Sequence, residues 1–326
     1  MKMPSQRSNA WLGKALAGAF LGSMTVLPSL PNAQEKSNSK PQIPPLLLVS
    51  VRPTSFSLHI VRANPDGSVK TDLSQGNVVE AEPALSPDGK KIAFTAVNAD
   101  RSGADICTMN VDGTGRTQIT HSPTKMMAMS PAWSPDGRKL LYCARSTEDQ
   151  KPWEASPHVM DADGKNDKSI GRGTFPVWMR DNKIACTQQE GETGEAVYIL
   201  NADGKSMKKL FSNALIGGWS PDGKRLLYTV GSNVNLAHVF VANADGTQPL
   251  QVTDTEYEHE YGAQWAADGR HILFNRVVDS PVALGMMQVF TADVDGKNAK
   301  AMTDKENGLM LSNGSGLLLQ VFMLAR

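Results

Sequence analysis

The stretch DTEYEHEY, residues 254–261, holds the densest set of chemically capable side chains in this sequence of 326 residues. Glu258, His259 and Glu260 follow one another there. Carboxylates and neutral imidazoles are ligands that Mn²⁺ and Zn²⁺ accept in proteins. With His121 of an earlier segment they could surround a central cation, which would support a metal-assisted polysaccharide lyase or hydrolase.

This metal site is incomplete by the usual standards of catalytic centres. HEYGA, residues 259–263, begins like the zinc-binding HExxH helix but has no second histidine. Two histidines on separate loops fall short of a three-ligand site unless a carboxylate joins them. The sequence contains no GxSxG nucleophile turn and no phosphate-binding P-loop. We therefore expect no catalytic residue, no metal and no cofactor, and the metal-dependent enzyme is the alternative.

The elements that would carry these residues come from a repeated phrase. PAWSPDGRKLLYCA, residues 131–144, recurs as PALSPDGKKIAFTA at 83–96 and GGWSPDGKRLLYTV at 217–230, with weaker copies at 263–276 and 176–189. A second phrase, Asn or Asp followed by x-Asp-Gly, alternates with the first and ends at Gly67, Gly113, Gly164, Gly204, Gly246 and Gly296. The two phrases share a period of roughly 45 residues, which is the length of a four-stranded propeller blade.

Each Asp-Gly pair predicts a β-hairpin, because glycine adopts positive φ without steric cost. The first phrase supplies strands a and b of a blade, and the second supplies strands c and d. The DADG copies also resemble calcium-binding loops, but DADGKNDKSIGR at 161–172 has no acidic residue at its twelfth position. The hairpin is therefore the better interpretation.

The repeats predict an all-β fold, a six-bladed β-propeller of four-stranded antiparallel blades. Five complete blades begin near Val79, Met129, Thr174, Leu215 and Tyr261. Residues 46–51, 56–61 and 68–73 supply strands b, c and d of the sixth blade, and 308–316 supply its strand a. Both ends of the chain would then share one blade, which leaves no open sheet edge. The apolar segment 317–324 competes with 46–51 for the closing position, and the sequence does not decide between them.

The aromatic and sulfur-containing residues fit the interior of such a fold. Trp133, Trp178, Trp219 and Trp265 recur at one position of strand a, just before the turn. We expect them to pack between neighbouring blades. Cys107, Cys143 and Cys186 fall in predicted strands, where burial as small apolar residues is expected. One disulfide stays open as an alternative in an oxidising compartment.

Residues 1–33 have the order of a secretory signal peptide. Lys2, Arg7 and Lys14 precede an uncharged apolar run at 15–27, and Ala33 follows two prolines. The apolar run is shorter than the roughly 20 residues of a membrane span. We expect cleavage after Ala33, a flexible linker at 34–45 and the propeller at 46–326, with no transmembrane segment in the mature chain. The protein would then be periplasmic or secreted.

The charge balance excludes nucleic acid as a partner. The chain has 33 basic and 33 acidic residues, and loss of residues 1–33 removes three bases and no acid. The mature chain is therefore slightly acidic, whereas nucleic-acid binding needs a basic surface.

The two phrases resemble the repeats of the TolB-type propeller family, also known as WD40-like or PD40 repeats. Their copies cover nearly all of residues 46–316. The resemblance implies a propeller of the bacterial envelope that binds proteins, the peptidoglycan-associated lipoprotein among them, and does not transform substrates. Full-length members carry an α/β domain ahead of the propeller. Only about a dozen residues separate Ala33 from Leu46, so we expect that domain to be missing.

The predicted topology divides the connections between two faces. The a–b and c–d turns, with their uniform Asp-Gly sequences, lie on the turn face, and the irregular b–c and d–a connections lie on the loop face. Loops on a rigid scaffold are where binding usually resides, and methionines, aromatic anchors and charges suit a protein or peptide. We predict a monomeric, non-catalytic adaptor that binds an envelope protein or peptide through the loop face. Its candidate binding residues are Lys125, Met126, Met127, Trp153, Glu256, Glu258, His259, Glu260 and Tyr261.

Overall fold

The structure is a computed structural model that describes residues 46–52, 57–64, 70–76, 78–147, 155–179, 181–191, 194–232, 235–255, 260–266, 268–278, 286–302 and 309–310. The regular elements in these ranges are 24 β-strands. No helix long and apolar enough to cross a membrane is found within them. The all-β class predicted from the repeats is confirmed.

The first three groups of strands use the amino-terminal half of the chain and residues near its other end. Sheet 1 contains β1 (Leu46–Arg52), β2 (Ser57–Ala63), β3 (Lys70–Asp72) and β24 (Leu309–Met310). Sheet 2 contains β4 (Glu80–Leu85), β5 (Lys91–Val97), β6 (Ala104–Asn110) and β7 (Thr117–Gln118). Sheet 3 contains β8 (Met126–Trp133), β9 (Lys139–Ser146), β10 (Ser156–Asp161) and β11 (Lys168–Ser169). One parallel bridge, from Ala104 to Met127, links sheets 2 and 3.

The remaining three sheets repeat the same plan. Sheet 4 contains β12 (Thr174–Trp178), β13 (Lys183–Glu190), β14 (Gly194–Asn201) and β15 (Lys208–Ser212). Sheet 5 contains β16 (Ala214–Trp219), β17 (Arg225–Ser232), β18 (Asn235–Asn243) and β19 (Leu250–Gln251). Sheet 6 contains β20 (Glu260–Trp265), β21 (His271–Val278), β22 (Met286–Asp293) and β23 (Lys300–Ala301). Within sheets 2 to 6, strands a to d pair antiparallel in chain order.

Sheet 1 combines strands from two distant parts of the chain. β1 pairs along its length with β2, and on its other edge Val49 and Ser50 pair with Met310 and Leu309 of β24. Residues 46–52 therefore occupy the strand b position that the sequence left open. The competing segment 317–324 lies outside the described residues.

The c–d turns explain why the second phrase ends in glycine. Gly164 and Gly204 have φ values of 88° and 83°, a region that favours glycine. A Cβ at Gly164 would lie 2.8 Å from the carbonyl oxygen of Ile119, and one at Gly204 would lie 2.7 Å from that of Ile170. Ile119 and Ile170 follow the last strand of the preceding sheet. The glycine thus permits the turn and also the close approach of one sheet to the next.

Strand a carries a bulge at the same place in sheets 2 to 6. The pairing with strand b shifts register there, for example between Ala81 and Ala84 and between Met129 and Ala132. Glu82, Ser130 and Phe175 adopt positive φ at this position, with values of 54°, 54° and 51°. A bulge re-aims a side chain that regular pleating would send elsewhere. In sheet 2, the residue that it re-aims is an acid.

Apolar side chains fill the spaces between consecutive sheets. The paired examples are Ile60 with Phe94 for sheets 1 and 2, Ile106 with Trp133 for sheets 2 and 3, Leu141 with Trp178 for sheets 3 and 4, Val197 with Trp219 for sheets 4 and 5, and Val239 with Trp265 for sheets 5 and 6. A further cluster of Val61, Ala63, Leu273 and Val289 joins sheet 6 to sheet 1. Each sheet is therefore packed on both of its faces.

The four tryptophans at the repeated position are buried, as predicted, with 3–6% of their surface exposed. Trp133 and Trp178 donate their indole N–H groups to the carbonyl oxygens of Ala84 and Ala132 in the preceding sheet, at 3.0 and 3.2 Å. The equivalent N–H groups of Trp219 and Trp265 are buried without a partner. The same residue type thus makes a cross-sheet hydrogen bond in two sheets and none in two others, where the guanidinium carbon of Arg225 lies 4.6 Å from the ring centre of Trp265.

The three cysteines are free thiols. Cys143 and Cys186 are buried as predicted, while Cys107 is half-buried. Burial raises the pKa of Cys107 and Cys143 to about 12 and that of Cys186 to about 11. They are therefore protonated at neutral pH, which makes them poor nucleophiles.

The tryptophan difference can be measured directly. Trp133→Phe should destabilise the protein by about 1 kcal/mol more than Trp219→Phe, because it alone leaves a buried carbonyl oxygen without its donor. Both changes remove the same atoms, so Trp219→Phe is the matched control. Urea unfolding of the two variants decides the matter, and equal losses would contradict the assignment.

Deletion from the carboxyl terminus tests the strand that completes sheet 1. Removal of residues 308–326 should lower the thermal midpoint by several degrees, because it leaves one edge of β1 unpaired. Removal of 317–326 alone keeps β24 and should cost much less. Equal losses from the two deletions would instead assign the stabilising contact to segment 317–324.

Candidate binding face

The aspartate carboxylates of the turn face accept hydrogen bonds within their own turns. Asp88 Oδ1 accepts hydrogen bonds from the Ser86 hydroxyl at 2.6 Å and from the Lys90 N–H at 3.1 Å. Asp136 and Asp222 repeat this arrangement in sheets 3 and 5. The serine hydroxyl is the main reason why the pKa of each of these aspartates is lowered. These acids stabilise hairpins.

The c–d turns follow the same logic. In every described copy, one oxygen of the third residue accepts the N–H two residues later at 2.9–3.1 Å; the acceptors are Asp112, Asp163, Asp203, Asp245 and Asp295. This is the local bond that favours aspartate in turns. The geometry agrees with the hairpin interpretation of the DADG phrases.

The turn face contains a cavity of about 1050 Å³ that the sequence did not predict. It is formed where turns of sheets 2 to 5 meet, and its lining includes Pro87, Pro135, Pro221, Trp133, Trp178 and Trp219. The tryptophans are almost fully buried, so they offer little surface to a ligand. The cavity is a consequence of the repeated Ser-Pro-Asp-Gly turns and lies opposite the predicted binding face.

The structure places the predicted loop-face residues at different depths. Lys125 is exposed with a φ of 68° in the connection before β8, and Met126, the first residue of β8, is half-buried. Tyr261 is in β20. Trp153, Glu256, Glu258 and His259 lie outside the described residues.

Met127 and Glu260 correct the prediction of a surface position. Both are buried, with 2% and 0% of their surface exposed. The reason is that strand a begins earlier than expected in sheet 3, at Met126, and already at Glu260 in sheet 6. Both residues are therefore paired with strand b and covered by neighbouring sheets.

Glu260 is the centre of a polar network between sheets 5 and 6. It accepts hydrogen bonds from the hydroxyls of Thr253 and Thr255 at 2.9 and 2.8 Å. His238 Nδ1 lies 3.2 Å from one of its oxygens, and Arg276 Nη2 lies 3.2 Å from the other. The carboxylate ties the d–a connection to strands of two sheets, so it is committed to structure.

Glu80 has the equivalent position in sheet 2. It accepts the Ser74 hydroxyl at 2.6 Å and both terminal nitrogens of Arg116 at 2.7 Å. Burial raises its pKa, although Ser74 and Arg116 oppose that effect. A bidentate guanidinium is the strongest partner that a carboxylate finds in proteins.

Glu82 lies two residues further along β4, at the bulge. Its carboxylate accepts the Thr95 hydroxyl at 2.7 Å, the Ser130 N–H at 2.7 Å and the Ser130 hydroxyl at 3.1 Å. Ser130 belongs to sheet 3, so Glu82 links two sheets. Burial is the main cause of its raised pKa.

Asp105 organises the loop that carries the predicted methionines. It is buried at the start of β6 and accepts hydrogen bonds from the Thr120 hydroxyl at 2.8 Å and the Ser122 N–H at 2.7 Å. His121, between them in sequence, is exposed and lies 3.2 Å from the Gln118 amide. The d–a connection before Lys125 is therefore held in place by a buried acid.

The histidines in strands have structural roles. His59 pairs with Asp72 at 2.9 Å, His158 with Asp167 at 3.2 Å, and His238 with Glu260. His271 pairs with Asp268 in its own a–b turn. In the described part of the chain, no group of three or more histidine, cysteine or acidic side chains is placed to hold a metal ion.

The buried acids Glu80, Glu82 and Asp105 were not predicted from the sequence. A signal was present, since EAEPAL places two acids inside an otherwise apolar strand. Acids are seldom buried without a partner. Their partners, however, lie up to 48 residues away in sequence, and no local pattern identifies them.

The comparisons with known proteins concern the fold. No protein-family model matches the sequence. An uncharacterized protein of Agrobacterium fabrum is 29% identical over 115 residues, which make up 35% of this chain and 37% of that relative. The match therefore spans little more than a third of the relative's own length.

Solved structures give broader matches. TolB of Acinetobacter baumannii is similar with a TM-score of 0.67 at 18% identity, over 81% of this chain and 64% of that one. A protein assigned as TolB in Agrobacterium tumefaciens gives 0.61 at 16% identity, over 84% and 91%. An oligogalacturonate lyase in complex with manganese gives 0.53 at 14% identity, over 75% and 70%. The chain has the fold of a TolB-like β-propeller.

The buried carboxyl of Glu82 predicts a pH dependence. Its folded-state pKa is raised, so its protonated form favours the folded state, and that contribution is lost as pH rises from about 4.3, the usual glutamate value. The unfolding free energy of wild type minus that of Glu82→Gln should therefore fall, by about 1 kcal/mol or more, between pH 4 and pH 8. Urea unfolding of both proteins across this range is the measurement.

Glu190→Gln supplies the control with the opposite sign. The Lys209 ammonium beside Glu190, at 2.7 Å, holds the pKa of that carboxyl below its ordinary value. The corresponding difference should then rise with pH. Parallel pH curves for wild type and Glu82→Gln would contradict the role given to Glu82.

Proposed function

We propose that this chain is a non-catalytic scaffold of the bacterial envelope that binds a protein or peptide through its loop face. Its six sheets close into one ring, a six-bladed propeller in which the two ends of the chain share sheet 1. The pairing of β1 with β24 and the cluster of Val61, Ala63, Leu273 and Val289 support this closure.

The observation that carries the proposal is the set of buried acids beneath the loop face. Glu80, Glu260 and Asp105 each hold a d–a connection by accepting hydroxyl hydrogen bonds from it. Burying a carboxylate costs free energy even when it is paired. These bonds fix the conformation of the d–a connections before a partner binds. Less conformational entropy is then lost on binding.

The two faces differ in how their charges are used. On the turn face, the aspartates are bonded within their own turns. On the loop face, Lys125 and His121 are exposed on a segment whose backbone is held by Asp105. Exposed charge around half-buried Met126 has the composition of a protein-binding rim.

The likeness to TolB supports an envelope partner for this face. An envelope protein or peptide, such as a peptidoglycan-associated lipoprotein, fits the proposed surface. The basic, apolar and small-residue order of residues 1–33 supports export to the periplasm or beyond, with residues 34–45 as a linker.

The second candidate is a metal-assisted lyase, favoured by the likeness to an oligogalacturonate lyase in complex with manganese. Glu260, one of its four proposed ligands, already contacts two threonines, His238 and Arg276. This commitment weakens the candidate. One equivalent of manganese or zinc in the purified protein, lost in His259→Ala, would revive it.

Capture of a purified partner tests the scaffold. The combined change of Lys125, Trp153 and Glu258 to alanine should lower the affinity for the periplasmic domain of a peptidoglycan-associated lipoprotein at least about tenfold, because anchors at the centre of an interface carry most of its energy. Calorimetry with the wild-type and variant proteins gives the affinities.

The matched control is on the opposite face. Lys90, Lys168 and Lys224 are exposed near the turns, and their combined change to alanine should leave the affinity unchanged. Loss of binding in this control alone would move the site to the turn face. Wild-type protein that binds no envelope protein would end the proposal.

A further inference from the structure

Arg145 is buried at the loop-face end of sheet 3. It lies one residue before the end of β9 and pairs across to Met127 of β8. Only 7% of its surface is exposed, and its Nε is cut off from solvent with no hydrogen bond. Among the described residues, Glu82 is the one carboxylate that acts electrostatically on its guanidinium.

Two other arginines of the same molecule have a carboxylate and an aromatic ring beside the guanidinium. Arg116 makes two 2.7 Å bonds to Glu80 and lies over the ring of Phe94. Arg276 pairs with Glu260 at 3.2 Å and lies 4.3 Å from the ring centre of Phe290. The fold thus places a hydrogen-bonded acid and an aromatic ring beside these two arginines, whereas the acid that acts on Arg145 among the described residues is Glu82.

The negative group that influences Arg145 is Glu82, and it is a weak counter-ion. Its two oxygens already accept bonds from Thr95 and Ser130. Burial raises its pKa, so it gives up part of its charge more readily than an ordinary glutamate. The guanidinium stays protonated at any physiological pH, and its charge is thus poorly compensated.

The surroundings of Arg145 are apolar. Met127 and Cys143 belong to a buried cluster that includes Met129 and Ala155. A charge in such surroundings costs free energy unless it is paired. The planar guanidinium fork matches a carboxylate through two parallel hydrogen bonds. An acid supplied from outside would therefore complete a site that the chain leaves unfinished.

We propose that Arg145 receives a carboxylate of the bound partner, either an aspartate or glutamate side chain or the terminal carboxylate of a peptide held at the loop face. The apolar surroundings favour a ligand with one negative charge over a doubly charged phosphate, because the cost of burying a ligand grows with its charge. The inference rests on the proposed function, since it names the chemistry of the partner at the same face.

Stability measurements separate a binding role from a structural one. Arg145→Met removes an uncompensated buried charge, so its thermal midpoint should equal or exceed that of wild type. Arg116→Met is the matched control, because it leaves Glu80 buried without its guanidinium and should lower the midpoint by several degrees. A loss in Arg145→Met as large as that in Arg116→Met would overturn the proposal.

Acetate serves as the probe for the carboxylate. Sodium acetate at about ten times its dissociation constant should raise the wild-type midpoint by roughly 2 °C over sodium chloride of equal ionic strength. Arg145→Met should lose this shift, Arg145→Lys should keep a smaller one, and Arg116→Met should keep it in full. An equal acetate shift in wild type and Arg145→Met, or a larger shift with phosphate than with acetate, would refute the carboxylate site.

The acetate experiment uses the isolated protein, so its result is independent of any partner. If a purified lipoprotein fails to bind while the acetate shift depends on Arg145, the carboxylate site stands and the scaffold proposal fails. If the lipoprotein binds wild type and Arg145→Met equally well, the loop face stands and the role of Arg145 fails.

Discussion

Every sheet in this structure is apolar on both faces. This constraint determines how the sheets pack together and where polar side chains can lie. In β9, Leu140 packs toward sheet 2 and Leu141 packs toward sheet 4, because successive side chains of a strand point to opposite faces. A four-stranded sheet of this kind cannot bury itself. It needs a neighbour on each side, and a row of such sheets leaves an uncovered face at each end unless the ends meet. Among the described residues, Val61 and Ala63 of sheet 1 pack against Leu273 and Val289 of sheet 6.

Packing on both faces also determines where polar chemistry can lie. A buried polar side chain within a strand needs a partner in its own sheet or across a sheet boundary, because no solvent reaches it. Glu82 reaches Ser130 of the next sheet from a bulge with positive φ, and Glu260 reaches His238 of the preceding one. The buried acids gather at the end where strand a begins, which is also the end that carries irregular connections. At the opposite end, the aspartates of the turns accept hydrogen bonds from residues of the same turn.

The sequence predicts the parts of this fold that local chemistry determines. The strands could be located to within about three residues from the Asp-Gly turns, the alternation of their two phrases and the tryptophan before each first turn. For example, β8 begins at Met126, and the expected start was Met129. The depth of Met127 and Glu260 depended on where strand pairing begins, and that depends on contacts with β9 and β21. The hydrogen-bond networks of the buried acids could not be predicted either, because they join residues that are distant in sequence. Glu80 and Arg116, for example, are 36 residues apart. Trp153 and His259 remain predictions.

Some buried polar groups have no hydrogen-bond partner among the described residues. The free energy that each of them costs indicates which one has a functional role. The indole N–H groups of Trp219 and Trp265 are buried and unmet, and a neutral donor in that state costs about 1–3 kcal/mol. The core can tolerate this cost, because apolar packing contributes much more free energy to stability. An uncompensated guanidinium costs more, because it is charged. Sites where a sequence departs from consistent satisfaction tend to be functional. Arg145 combines the larger cost with a position under the loops, whereas the two tryptophans lie between sheets in apolar clusters of the core.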